Sequence, residues 1–200
     1  MSEKAGHDEE THPFHADEER KRQKRIKMYK YIGIFIVFQI VVVTVFALTV
    51  MKVKTPKIRL GNIYVQSLTA NAATPSFDMN FATQIRVRNT NWGPYKFEAG
   101  VVTFMYQGVP VGQVYIPEGK AGMRSTKKID VMVSVSSASL PGNTMLGTEL
   151  NNGLLMLTST ATVTGKVELM LIMKKRKSAD MLCSMVFSVA TNTVQNLECE

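Results

Sequence analysis

Between Tyr31 and Met51 the chain reads YIGIFIVFQIVVVTVFALTVM, twenty-one residues without a charge or a proline. At about 1.5 Å of rise per residue, a helix of this length spans about 30 Å, the thickness of a bilayer's hydrocarbon core. A buried helix of a soluble protein would carry a polar stripe, whereas this run is apolar on every face apart from Gln39 and two threonines. A cleaved signal peptide would have a shorter apolar region near the N-terminus, followed by small residues. Here the run begins at residue 31 and is followed by Lys-Val-Lys-Thr-Pro. The stretch is read as one membrane anchor, opening at Tyr31 in the interfacial belt with Tyr29, carrying Gln39 near mid-depth and ending at Met51. Gln39 is read as a tolerated polar residue or as a hydrogen-bonding group for a partner helix.

Orientation follows from the flanks, because positive residues close to a crossing tend to stay in the cytosol. Arg20, Lys21, Arg22, Lys24, Arg25, Lys27 and Lys30 precede the span, against Lys52, Lys54, Lys57 and Arg59 after it. This bias of seven against four puts the N-terminus inside and residues 52–200 outside. The basic run also suits contact with anionic lipid, each cation near the surface contributing about 1 kcal/mol.

Residues 1–30 contain few apolar residues and alternate acidic with basic blocks. Such a segment buries too little surface to offset its ordering entropy, so a disordered cytosolic tail is expected. His7, His12 and His15 sit near its acidic residues, but their spacing matches no familiar metal site and they read as solvated. Pro56 marks the exit from the anchor, and residues 52–57 form a linker.

The remainder is long enough for one domain with its own core. Of the formal charge of +8, residues 1–30 hold eight Lys/Arg against seven Asp/Glu, leaving sixteen against nine beyond. The positive excess therefore lies outside the cytosol, which points to an anionic surface there and away from nucleic acid.

Beyond the anchor the hydrophobic period becomes two. Phe77, Met79, Phe81, Thr83, Ile85 and Val87 alternate with Asp78, Asn80, Ala82, Gln84, Arg86 and Arg88, the pattern of a strand with one buried face. Ile129–Val135 and Val163–Met173 alternate in the same way. Further strands are expected over Ile58–Leu68, Lys96–Gln107, Val109–Ile116, Leu154–Thr160 and Met181–Leu197, the last in one piece or two. Turn residues separate them at Asn91-Trp92-Gly93-Pro94, Gln107-Gly108, Pro117-Glu118-Gly119 and Asn151-Asn152-Gly153. Seven or eight antiparallel strands so punctuated predict an all-β sandwich of the fibronectin or immunoglobulin kind over residues 58–200. One short helix is expected within Ser139–Leu150, where Leu146 and Leu150 share a face and Gly153 closes it.

With Asn89-Thr90-Asn91, the long alternating strand before it, the Leu140-Pro141 stretch leading to Gly153 and a cysteine-containing final segment, the sequence resembles the second subgroup of plant late embryogenesis abundant proteins. This is the water-stress and hypersensitive-response domain family. A basic tail, one anchor and this domain are similar to its membrane-bound branch, the harpin-induced and non-race-specific disease resistance type. The resemblance covers roughly Ile58 to Glu200 plus the anchor. Where the family commonly has Asn-Pro-Asn, this chain has Asn89-Thr90-Asn91. The resemblance implies a fibronectin-like sandwich, plasma-membrane placement and roles in defence or dehydration stress.

Residues 52–200 contain no histidine, which removes Ser-His-Asp and Cys-His nucleophile arrangements and the usual zinc sites. No Gly-rich phosphate loop follows a strand. The domain is read as non-enzymatic, with no cofactor and no metal.

Cys183 and Cys199 both lie in the outer part, either as buried free thiols or as a disulfide closing the C-terminal strand, and an oxidising compartment favours the bond. Trp92, the only tryptophan, reads either as a cap on one end of the sandwich or as a ligand platform. The methionines of this part suit core filling or an adaptable apolar pocket. Lys174, Lys175, Arg176 and Lys177 are placed in a hairpin connection. There they form either a solvated loop that keeps a sheet edge from pairing or a contact for acidic wall polymer or anionic head groups.

The sequence thus reads as a single-pass protein of the plasma membrane. Its outer β-sandwich acts as an interaction module for wall polysaccharide, anionic lipid or a surface receptor. The alternative is a tethered lipid-binding or lipid-transfer sandwich, which would need an internal cavity lined by Met and Leu.

Overall fold

The computed structural model describes residues 13–50, 52–140, 142, 144–169 and 173–200. The chain divides into two compact units, residues 1–49 and 50–200.

The first unit is the helix α1 (Pro13–Val50). Within it, Arg20–Thr49 is long and apolar enough to cross a membrane, by length and composition. The side chains of residues 20–46, Tyr31 and Gln39 among them, are exposed to whatever surrounds the helix. The two threonines fit such a setting because their hydroxyls donate back to backbone carbonyls, Thr44 to Ile40 at 2.7 Å and Thr49 to Val45 at 2.8 Å. The hydroxyls of both threonines are therefore satisfied within the helix. The expected disorder over residues 1–30 is corrected for residues 13–30, which are helical. An apolar helix that already exists removes the nucleation cost, and the Glu-, Lys-, Arg- and Gln-rich sequence before it has the propensity to extend it. His7, His12 and Met51 lie outside the described residues.

The second unit contains ten strands among the described residues. β1 (Lys57–Asn71), β2 (Ser76–Arg88) and β7 (Thr126–Ser136) form a three-stranded antiparallel sheet in the order β1-β2-β7. The larger sheet takes β3 (Tyr95–Phe97), β4 (Gly100–Tyr106), β5 (Val109–Ile116) and β6 (Gly119–Ala121). It also takes β8 (Leu154–Leu169), β9 (Met173–Ser188) and β10 (Thr193–Cys199). Its order is β10-β9-β8-β3-β6, with β4 pairing β8 and β5.

The antiparallel sandwich is as expected, but the strand count is higher. The run Lys96–Gln107 breaks at Glu98-Ala99 into β3 and β4, which pair one after the other with the same edge of β8. β6 forms where only a turn was expected. Leu154–Thr160 and Val163–Met173 fuse into the single strand β8, which ends at Leu169, and Leu171 lies outside the described residues. The final run divides into β9 and β10. The expected helix is shorter and later, α2 (Thr144–Asn151), after a 3-10 turn at Ser137–Ser139. Gly153 closes α2 with φ +72°, its N–H donating to Leu150 O at 3.0 Å, a backbone shape that glycine adopts without penalty. Pro141 lies outside the described residues.

Period-two alternation places Phe77, Met79, Phe81, Ile85 and Val87 of β2 inward, all buried. Between the sheets, the Phe81 ring meets Phe104 edge-on at 5.4 Å and Phe187 at 5.7 Å. Aromatic rings from both sheets therefore occupy the middle of the sandwich. Met79, Met181 and Met185 fill core positions, while Met123, Met132, Met145 and Met156 are exposed. Cys183 of β9 and Cys199 of β10 are register partners and form a disulfide across that edge, with Cα atoms 4.1 Å apart.

Candidate functional site: a cationic cleft on the small sheet

The outward face of the small sheet begins with charge on every strand. In register, Lys57 of β1 stands opposite Arg88 of β2, and Arg59 opposite Arg86. On the far side of β2, Arg86 stands opposite Lys128 of β7. Cations directly opposite one another across an antiparallel pair are destabilising. Among the described residues none of these five makes an ion pair. Arg86 is partly held, its Nε donating to Gln84 Oε1 at 3.0 Å. Its guanidinium lies over Gly61, where an added Cβ would stand 2.8 Å from Nε. The nearest acid on the same face is Asp130, one rung further on, which accepts from Gln84 Nε2 at 2.8 Å.

Lys57, Arg59, Arg86 and Arg88 line a cleft of about 760 Å³. Its far wall is the loop before β7, which brings Arg124, Ser125 and Thr126, together with Thr90 from the end of β2. Asp180 and Glu200 line a separate groove that shares Lys57 and Arg59.

Two buried asparagines hold this loop in place. Asn89 donates from Nδ2 to the carbonyls of Gly93 at 2.8 Å and Gly122 at 2.9 Å. Its Oδ1 accepts from both the backbone N–H and the side-chain amide of Asn91, each at 3.0 Å. Asn91 in turn donates to Lys54 O at 2.8 Å and accepts from Lys54 N–H at 2.6 Å. A buried amide with every group satisfied rigidifies its surroundings. Here the pair ties the chain entering β1 to the loops after β2 and before β7. The Arg124 N–H donates to Asn91 O at 3.1 Å, and Arg124 sits at φ +49°, a left-handed conformation that a non-glycine side chain enters only when its surroundings hold it there. The Arg124 guanidinium lies 4.8 Å from the centre of the Trp92 ring. Trp92 is thus a half-exposed shelf for a cation.

The sequence-predicted cationic contact is placed differently. Lys174, Lys175, Arg176 and Lys177 are not a hairpin connection. They are the first turns of pleat in β9, in register with Glu168, Val167, Lys166 and Gly165 of β8. Pairing with the long strand β8 carries the ladder through a charge run that has no apolar period of its own. The quartet is therefore split between the two faces of the sheet, and carboxylates accompany it. Lys174 lies 3.9 Å from Glu168, and Arg176 lies 3.8 Å from Glu98. Glu168 also accepts a hydrogen bond from Lys96 at 3.1 Å, and that hydrogen bond holds its carboxyl below the ordinary range. Residues 170–172, between the two strands, lie outside the described residues.

Sequence reasoning passed over the small-sheet cleft. Lys57 and Arg59 counted only as flanking charges of the anchor, and Arg86 and Arg88 only as the polar parity of a strand. The available signal was the recurrence of Lys-x-Arg, Arg-x-Arg and Lys-Lys at strand ends, and only the pairing of those strands turns it into a site. Of the remaining predicted residues, Arg20, Lys21, Arg22, Lys24, Arg25, Lys27 and Lys30 lie along the exposed helix α1. Among the described residues no group of His, Cys, Asp and Glu is arranged to hold a metal.

Residues 84–184 match the family model of late embryogenesis abundant protein. A late embryogenesis abundant protein of Arabidopsis thaliana is 29% identical over 171 residues, covering 80% of this chain and 79% of the relative. Among solved structures, the solution structure of another late embryogenesis abundant protein is similar at a TM-score of 0.40 and 13% identity, covering 92% of this chain and 97% of the other. The crystal structure of a protein from Archaeoglobus fulgidus gives a TM-score of 0.36 and 14% identity, covering 64% and 96%.

Proposed function

Because this chain belongs to the late embryogenesis abundant protein family, we propose that it is a membrane-anchored, non-catalytic interaction module of the cell surface, acting in defence or dehydration stress. The observation that carries this reading is the packing of Phe81 against Phe104 and Phe187 between the sheets. A carrier would hold its apolar ligand in that space, and here aromatic side chains occupy it. The domain's contacts are therefore made from its outside, with wall polymer, lipid head groups or a surface receptor. The absence of histidine from residues 52–200 supports a role without acid–base or nucleophilic chemistry. The apolar helix supports anchoring. The basic residues before it support a cytosolic N-terminus, and the Cys183–Cys199 disulfide supports an oxidising compartment for the sandwich.

The test is protease protection with proximity labelling in intact cells. Externally added protease should remove a C-terminal tag and spare an N-terminal one, and a labelling enzyme fused to the C-terminus should mark plasma-membrane and wall-associated proteins. The reverse protection pattern overturns the orientation and the surface role with it. An apolar lipid that co-purifies stoichiometrically with the protein would reinstate the carrier.

A further inference from the structure

We propose that the cleft on the small sheet is a binding site for a phosphate-bearing anion, either a phosphorylated lipid headgroup or a free inositol phosphate. The proposal rests on the interaction-module reading and names the ligand class for one face of it.

The two cationic rungs are the first argument. Lys57 against Arg88 and Arg59 against Arg86 cost stability when the cleft is empty. An anion seated between the strands would turn each repulsion into two attractions. The large sheet makes the comparison clear, because it also has a row of cations in register, Lys120, Lys96, Lys166 and Arg176. Two cations of that row have counter-ions, Lys96 with Glu168 at 3.0 Å and Arg176 with Glu98 at 3.8 Å. Among the described residues the small-sheet cations make no ion pair, the neighbouring acids being Asp130, held by Gln84, and Asp180 and Glu200 in the adjoining groove, so the two rows differ in how directly the protein itself supplies the anion.

The donor chemistry is the second argument. Arginine presents a planar fork that matches phosphate oxygens in pairs, which the ammonium of lysine cannot do. Arg59, Arg86, Arg88 and Arg124 all line the cleft, and the hydroxyls of Thr90 and Ser125 add neutral donors. Arg124 is fixed in advance by its left-handed backbone and the Trp92 ring. Holding a donor before the ligand arrives lowers the ordering cost of binding. The third argument is shape. A concave space of about 760 Å³ is in the range of small-ligand sites and suits a compact multiply charged group better than an extended acidic polymer.

The experiment uses the full chain reconstituted in phosphatidylcholine nanodiscs. Binding is measured for inorganic phosphate, inositol 1,4,5-trisphosphate, polygalacturonate, and phosphatidylcholine vesicles with and without phosphatidylinositol 4-phosphate. Arg59→Gln/Arg86→Gln/Arg88→Gln is compared with the large-sheet control Lys120→Gln/Lys166→Gln/Lys174→Gln, which removes the same charge. The expected result is saturable binding of the trisphosphate, of the phosphorylated-lipid vesicles, or of both, weakened about tenfold or more in the small-sheet variant. The control should change by no more than about twofold, since its cations act only through the overall field. Competition between the soluble trisphosphate and the vesicles tells which source is preferred. Equal weakening in both variants, no saturable phosphate binding, or binding of polygalacturonate alone would overturn the site. Arg88→Gln alone, with its melting temperature, guards against a fold defect in the triple variant. If the protection and labelling results hold while every phosphate probe fails, the inference falls and the surface-module reading stands.

Discussion

Arg59 and Arg86 are register partners on the outer face of the small sheet, two cations facing each other across one rung of the β1–β2 ladder. Their opposition costs about 0.2–1 kcal/mol by the usual scale of cross-strand pairs. Arg59→Gln should therefore leave thermal stability unchanged or raise it by about that amount at low ionic strength. The gain should shrink as salt rises, because screening already relieves the repulsion. Melting curves at low and high salt check this. A loss of stability at low salt would mean that Arg59 has a counter-ion in the folded protein.

Asn91→Ala removes both links to Lys54 and one partner of Asn89 at a site with almost no access to water. Leaving a buried polar group without a partner costs about 1–3 kcal/mol and the Lys54 groups are part-buried, so the variant should melt below the parent. The Arg124 loop should loosen as well, and Trp92 fluorescence should report it through loss of the overlying guanidinium. An unchanged Trp92 spectrum would show that the loop keeps its place without the asparagines.

Gly165 lies beneath Tyr95, and a Cβ added there would stand 2.6 Å from the ring's Cε2 while also striking the Lys96 carbonyl. Gly165→Ala must push β3 away from β8, at about 1–3 kcal/mol for an overpacked interior. Chemical denaturation of the full chain in detergent measures it. A change below the error of that measurement would show that β3 moves freely.

The Tyr95 hydroxyl donates to Val163 O on β8 and to Lys177 O on β9, both at 3.1 Å. Burial, with help from the charge of Glu98, raises its pKa from 10.0 to about 12. Tyr106 is raised to about 12 as well, by burial and then by Glu149. A raised folded-state pKa means that the unfolded chain loses its proton first, so this stability is fully present below pH 10 and is lost as pH rises toward about 12. Tyr95→Phe should flatten part of that decline, and Tyr95→Phe/Tyr106→Phe should flatten more. Unfolding followed across this range checks the sign, and an equally steep decline in the double variant refutes it.

The Cys183–Cys199 bond closes a loop with a sequence separation of 16, for which chain entropy gives about 3 kcal/mol. Among the described residues β10 has β9 as its one hydrogen-bonded strand neighbour. The variant Cys183→Ala/Cys199→Ala should lose about that stability, and amide exchange should rise first in Thr193–Cys199, the edge strand that the bond holds. Uniform acceleration across the sandwich would mean that the bond acts on the whole fold and not on its edge.

What was legible in the sequence depended on how locally it was encoded. The inward parity of Phe77 to Val87 and of Ile129 to Val135 needs only neighbours two residues apart; the first face is buried, and of the second Val133 and Val135 are buried and Ile129 and Val131 partly so. The anchor needs only an unbroken apolar run. The partner of each strand is different, because it depends on residues far away in the chain. Arg86 and Arg88 were visibly on the polar face, yet nothing local says that Lys57, Arg59 and Lys128 stand beside them. The same gap explains the misplacement of Lys174 to Lys177, since a charge run reads as a loop until a strand as long as β8 is laid against it.

The small sheet is not contiguous in the chain. β2 and its second partner, β7, are separated in the chain by β3, β4, β5 and β6, all of which belong to the opposite sheet. Pairings this distant in sequence are slow to form. A chain emerging anchor-first leaves β2 with a bare edge until residue 136 has been made. During that interval the exposed edge of β2 is open to pairing with another chain.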